Sequence, residues 1–188
     1  MVSVDGDTST NDTVAILANG RAGNPTITAE GEDLDAFAEA LSAVTTYLCR
    51  CIAKDGEGAT KLLECHVSGA ATHLTAKTVA KAIICSSLLK AAMFGADANW
   101  GRVLCAIGYS GAPLDVTKIG VSFASSKGRI TVCQNGAGVP FSEEIAKEIL
   151  LEDEILIDVT LNEGEEEATA FGCDLTYDYV KINGDYRT

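Results

Sequence analysis

"DLDAFAEALSAVTTYLCRCIAKDGEGATKLLECHVSGA", residues 33–70, changes periodicity partway along, and that change decides the fold. Leu34, Phe37, Leu41, Val44, Leu48 and Ile52 recur at steps of three and four, which predicts one apolar stripe on a long amphipathic helix with acids near its start. Gly56 and Gly58 end that pattern. "KLLECHVSGA" then reads as a strand, because its β-capable residues are bounded by glycine. A helix handing over to a strand through a glycine-rich loop makes the chain α+β.

Downstream, "AKTVAKAIICSSLLKAAMFG" is apolar almost throughout and predicts a second long helix, capped by Thr75 and buried against a sheet. Beyond Gly95 the segments shorten. "RVLCAIGYSG", "KIGVSFASSKGRITVCQNG" and "DEILIDVTLNEGEEEATAFGCDLTYDYVKIN" alternate apolar and polar residues between turn formers, as hairpins do, with one short helix, "SEEIAKEILL", among them. The expected architecture is long helices packed on a mixed or antiparallel sheet, with a β-rich C-terminal half. The domain boundary falls between Thr60 and Gly69, dividing the chain into 1–62 and 63–188. "EGEEE", residues 163–167, reads as the solvated tip of a hairpin.

With 188 residues, 47% of them hydrophobic, the chain is long enough to bury a core. Its net charge is −13 and its 14 lysines and arginines are scattered, so nucleic acid and anionic membranes are not expected partners. No segment reads as a bilayer-spanning run of about 20 apolar residues, and no secretory leader precedes the first polar loop. The cysteines number seven, most of them inside apolar patterns and none in a CxxC pair. They are expected to be reduced core thiols, which points to a cytoplasmic setting and away from a metal site.

Polar side chains concentrate in four places. "SVDGDTSTND", residues 3–12, holds Asp5, Asp7 and Asp12 among hydroxyls. A calcium loop counted from Asp5 would need Glu at its twelfth position, where Ile16 stands, and a phosphate loop would need a lysine, none of which occurs before Lys54. A helix start capped by Ser9, Asn11 or Asp12 accounts for the polarity instead. In "DGEGATK", residues 55–61, two glycines leave Glu57 unshielded. Its carboxylate fits a substrate ammonium or a proton transfer, and equally fits a solvated loop acid. "GADANWGRVL" sets Trp100 beside Arg102; packing is the default reading, stacking recognition the sharper one. "YVKINGDYRT" carries anchoring aromatics, Asn183 and a terminal Thr188, and reads either as a plain last strand or as part of a site. His66 and His73 lie near no glycine-flanked serine, so no serine–histidine–acid triad assembles.

Taken in order, "SVDGDTSTNDTVAILANG", "DGEGATK", "FGADANWGRVLCAIGYSG" and "CDLTYDYVKINGDYRT" resemble the ornithine acetyltransferases, the bifunctional glutamate N-acetyltransferases of arginine biosynthesis. The likeness runs from residue 2 to the last residue. It implies a precursor that cleaves itself before a threonine into α and β chains that stay together. The new terminal threonine is the nucleophile, takes acetyl from N2-acetyl-L-ornithine and passes it to L-glutamate, and some members also accept acetyl-CoA. No resident cofactor or metal is implied. The resemblance assigns substrate binding to Glu57, Asn183 and Thr188. Since no threonine at the expected upstream place lies in this sequence, the chain corresponds to most of a β chain, expected to be inactive alone, with an α chain as partner in an α2β2 assembly. The related N-terminal-nucleophile amidases and aminopeptidases, and a non-catalytic assembly domain, are the alternative readings.

Overall fold

The structure is a computed structural model that describes residues 1–185. Its elements in chain order are α1 (Glu32–Lys54), β1 (Leu62–Ala70), α2 (His73–Ile84), α3 (Ser87–Phe94), α4 (Trp100–Tyr109), β2 (Gly120–Ser125), β3 (Gly128–Gln134), β4 (Ala137–Gly138), α5 (Glu143–Leu150), β5 (Glu154–Thr160), β6 (Glu166–Cys173) and α6 (Tyr177–Asp185). One mixed sheet runs in the order β4-β3-β2-β5-β1-β6, with β1 and β5 parallel and the other neighbours antiparallel. The fold is α+β.

Strand alternation decides which sheet face is covered. Leu63, Cys65 and Val67 of β1 and Ile155, Ile157 and Val159 of β5 are buried, whereas Glu64, His66, Asp158 and Thr160 point to the other, partly open face. The inward residues meet Val79 and Ile83 of α2, Leu89 and Met93 of α3, Val103 and Ile107 of α4, and Leu150 of α5 in one core. Each fully buried Leu or Ile there contributes about 1.5–3 kcal/mol relative to exposure. On the open face the last turns of α1 cross β1 and β6: Ala53 packs with Leu62 and Phe171, and Arg50 pairs with Glu64 and Glu154.

Several elements differ from expectation. The second long helix is two, because Ser86 turns the chain and caps α3 by accepting the Leu89 N–H at 3.4 Å. The cap of α2 is Thr72, which accepts from the Thr75 N–H, while Thr75 itself lies in the first turn. "RVLCAIGYSG" is helical: Asn99 caps α4, and Val103, Ala106 and Ile107 are buried at helical spacing. The last two strands form no hairpin. β5 sits between β2 and β1 while β6 lies beyond β1, so the acidic connection crosses the end of β1, where Gly69 O accepts from Glu163 N and Gly164 N. No helix begins at Ser9–Asp12. Those residues form exposed turns closed by their own side chains, Asp12 accepting from Ser9 N and Ser9 Oγ from Asn11 N.

Residues 5–48 stand largely outside the packed body, and within α1 only Ala53 is buried. At 23 residues, α1 is also long enough and apolar enough on average to cross a membrane, contrary to expectation. Its apolar residues nonetheless form one stripe opposite Asp35 and Glu39, the pattern of a helix that lays one face on protein.

Candidate functional site

Two glycines explain why an acid can stand at residue 57. At Gly56 a Cβ would come within 2.8 Å of Cys173 Sγ. Gly58 has φ +65°, and a Cβ there would lie 2.7 Å from the backbone nitrogen of Tyr179. The Asp55–Lys61 loop is thus pressed onto the end of β6 and the start of α6, with Glu57 turned outward at the crest of a turn closed by Ala59 N donating to Gly56 O at 2.9 Å.

Buried Asp174 ties the loop down. Its carboxylate accepts from Thr60 N at 2.8 Å and from Lys61 N at 2.9 Å. Thr176 caps α6 by accepting the Tyr179 N–H and donates its own hydroxyl to Gly58 O at 2.7 Å. Lys61 runs inward, where its ammonium donates to Met93 O and Leu150 O, each at 2.6 Å, joining the C-terminal ends of α3 and α5. Burial pulls its pKa below the ordinary lysine value.

From this base α6 rises over the loop. Asn183 Nδ2 donates to Glu57 Oε2 at 2.7 Å and to Tyr179 O at 3.1 Å. Tyr179 donates its phenol hydroxyl to Asp5 Oδ2 at 3.0 Å. Burial, then the hydrogen bond donated to Asp5 and the negative charges of Asp5, Asp7 and Glu57, leave that phenol's pKa pushed up to about 12. Asp5 is held in turn, because Met1–Ser3 run alongside β6, with Ser3 N donating to Phe171 O, and Lys81 and Lys90 donate to the carbonyls of Val2 and Val4.

Of the sequence-predicted residues, the structure brings Glu57 and Asn183 into contact; Thr188 lies outside the described residues. The tail is a helix rather than a last strand, which is what aims Asn183 back at the loop. Sequence reasoning missed Asp174 and Thr176, and it marked Tyr179 as an anchor and Asp5 as part of a polar stretch without their partners, which lie more than a hundred residues away. Trp100 and Arg102 follow the packing reading: the indole lies against Gly138, and Arg102 donates to Leu88 O at 2.7 Å. His66 meets Thr169 at 3.2 Å on the open sheet face. Cavities of about 420 Å³ beside Arg50 and Glu154 and about 640 Å³ between Thr72 and Pro113 lie away from Glu57 and Asn183. At the loop–tail junction Asp5, Asp7 and Glu57 gather around Tyr179, an acidic shelf suited to a cationic group.

Sheet order, helix placement and this junction define an α+β domain of a known kind. A crystal structure of the arginine biosynthesis bifunctional protein ArgJ from Bacillus halodurans superposes with a TM-score of 0.90 at 47% identity, covering 98% of this chain and 85% of that one. The ArgJ family profile matches residues 1–188, and the chain belongs to the ArgJ family. Proteins named arginine biosynthesis bifunctional protein ArgJ 1 from Clostridium acetobutylicum, and ArgJ from Caldanaerobacter subterraneus subsp. tengcongensis, are 53% and 55% identical over all of this chain. The chain spans 46% and 47% of their lengths, about half of the curated relatives it matches.

Proposed function

We propose that this chain is the substrate-binding part of an acetyltransferase that moves acetyl from N2-acetyl-L-ornithine to L-glutamate in arginine biosynthesis. The observation that carries the reading is the 2.7 Å contact of Glu57 with Asn183, two residues 126 positions apart, on an acid-rich shelf. A carboxylate there suits a substrate ammonium, and an amide beside it, donor and acceptor at once, fixes the orientation of an amino acid.

In this reaction a threonine hydroxyl attacks the acetamide carbonyl, and its proton passes through the threonine's own α-amine to the departing ornithine amine as the C–N bond breaks. Glutamate's amine then attacks the acetyl ester and releases the hydroxyl. The nucleophile and the donors that polarise the carbonyl belong, on this reading, to the portion of the relatives' length that this chain does not span. Acetyl-CoA serves as a second donor by the same ester, and no resident cofactor is required. The complementary α chain is the partner, in an α2β2 assembly in the cytoplasm. The exposed stripe of α1 supports that partnership, with Phe37 58% and Val44 56% exposed, as does the unpaired apolar segment at Val14–Leu17. Residues 1–62 then complete the catalytic domain, and 63–188 form the second domain.

The test combines this chain with the complementary portion and follows acetyl transfer from N-acetylornithine to glutamate. Glu57→Gln removes one charge-assisted hydrogen bond and is expected to lower kcat/KM about 10- to 100-fold. Transfer indifferent to that change would remove Glu57 from the site. Hydrolysis of amide substrates without transfer would favour the related N-terminal-nucleophile amidases.

A further inference from the structure

We propose that Tyr179 and Asp5 act as a positioning clasp for the Glu57–Asn183 pair, so that the opening "DGD" stretch sets the geometry of the substrate shelf without touching substrate. Its catalytic consequence rests on the function proposed above.

Tyr179 is the residue at which three distant segments join. Its N–H donates to Thr176 Oγ1 at 3.2 Å, its carbonyl accepts from Asn183 Nδ2 at 3.1 Å, and its hydroxyl donates to Asp5 Oδ2 at 3.0 Å. The backbone nitrogen of the same residue lies 2.7 Å from the place a Cβ on Gly58 would occupy, next to Glu57. Asp5 is a firm anchor, because its Oδ1 accepts from Asp7 N at 2.9 Å and the preceding residues are pinned to β6 and to two lysines.

The clasp matters because α6 lacks a core of its own. None of its residues is buried; Tyr177 is 83% and Val180 64% exposed. Beyond the edge-on contact of Phe94 with Tyr177, with ring centroids 5.6 Å apart, polar ties hold the helix. Deleting the phenol hydroxyl leaves the cap and the Asn183–Glu57 bond, but frees the helix to swing about Thr176. Asn183 sits about two turns of helix beyond that pivot and moves with it.

The experiment uses the complete protein, with this chain and the complementary portion together, carrying Tyr179→Phe, Asp5→Ala, Asp5→Asn or the pair Tyr179→Phe/Asp5→Ala. Steady-state transfer is resolved into kcat and KM, and hydrogen–deuterium exchange is followed on the peptide covering α6. Losing one hydrogen bond to a charged acceptor is expected to raise KM for N-acetylornithine about tenfold in Tyr179→Phe, with kcat changed less than about threefold. Exchange of α6 should quicken in the same variant. Asp5→Ala should match Tyr179→Phe, the pair should be no worse than either alone, and Asp5→Asn, which keeps an oxygen for the phenol, should recover most of the loss. Wild-type KM together with unchanged α6 exchange in Tyr179→Phe would overturn the clasp. Absence of transfer by the unmodified protein would instead count against the proposed function, and the exchange measurement would still decide the clasp.

Discussion

Gly58 shows how one missing side chain organises the shelf. Its φ of +65° lies where a Cβ is strained, and the space a Cβ needs is taken by the backbone of Tyr179. Gly58→Ala is therefore expected to cost about 1–3 kcal/mol, read as a lower denaturation midpoint, and to unseat α6 from the loop. Tyr179 supplies a second reading at this scale. A phenol whose pKa rises from 10.0 to about 12 binds its proton more tightly folded than unfolded. Its stabilising contribution is full below about pH 10 and is lost as the pH climbs toward 12. Ultraviolet titration of the protein and of Tyr179→Phe should coincide near pH 10, the phenol lost in the variant being one that ionises near pH 12. Glu57 and Asn183 were legible in the sequence because glycines and a family likeness flagged their motifs. Tyr179 was legible as an anchor, but its pairing with Asp5 was not, since a hydrogen bond across 174 positions leaves no local pattern.

Elements were legible where one periodicity dominated. The stripe of α1, the alternation of β1, the β2–β3 hairpin and the short α5 are all present where their patterns lie. The reading slipped where two periods fit a short apolar run. "RVLCAIG" alternates like a strand, yet Val103, Ala106 and Ile107 also satisfy helical spacing, and the Asn99 cap resolves it. The break between α2 and α3 turned on Ser86 acting as a cap within an apolar run, and the order of β5 and β6 on pairing with β1, which composition does not encode. Lys61 joins elements in a way that tests the argument. Its ammonium bonds carbonyls at the ends of both α3 and α5, so Lys61→Met should leave Leu150 O unpaired and Met93 O with only the Ala96 N–H. Loss of about 1–3 kcal/mol by denaturant unfolding is expected, with α3 and α5 exchanging amide protons faster than α2.

At the scale of the whole molecule, the chain divides into a body that shares one core and a projecting arm that does not. The core runs through the sheet and α2–α5, whereas residues 5–48 bury almost nothing. A 23-residue helix with an apolar stripe left to solvent is not a stable end state for a polypeptide, because helices of that kind owe their stability to the face they bury. The sequence showed the stripe but not that it would find so little to pack against among the described residues, since periodicity says which face is buried and not against what. Phe37 lies midway along the first half of that stripe and is 58% exposed, so replacing it by aspartate removes nothing from the core around Phe123 and Leu63. Phe37→Asp should leave the thermal midpoint of the sheet body unchanged to within a degree or two. It places a charge on the surface over which the complementary portion is proposed to close, where an unpaired buried carboxylate costs several kcal/mol. Co-purification with that portion should therefore fall at least tenfold, while Glu39→Ala, on the polar side of the same helix, should leave it intact. Equal co-purification of both variants would mean that α1 is not the docking face.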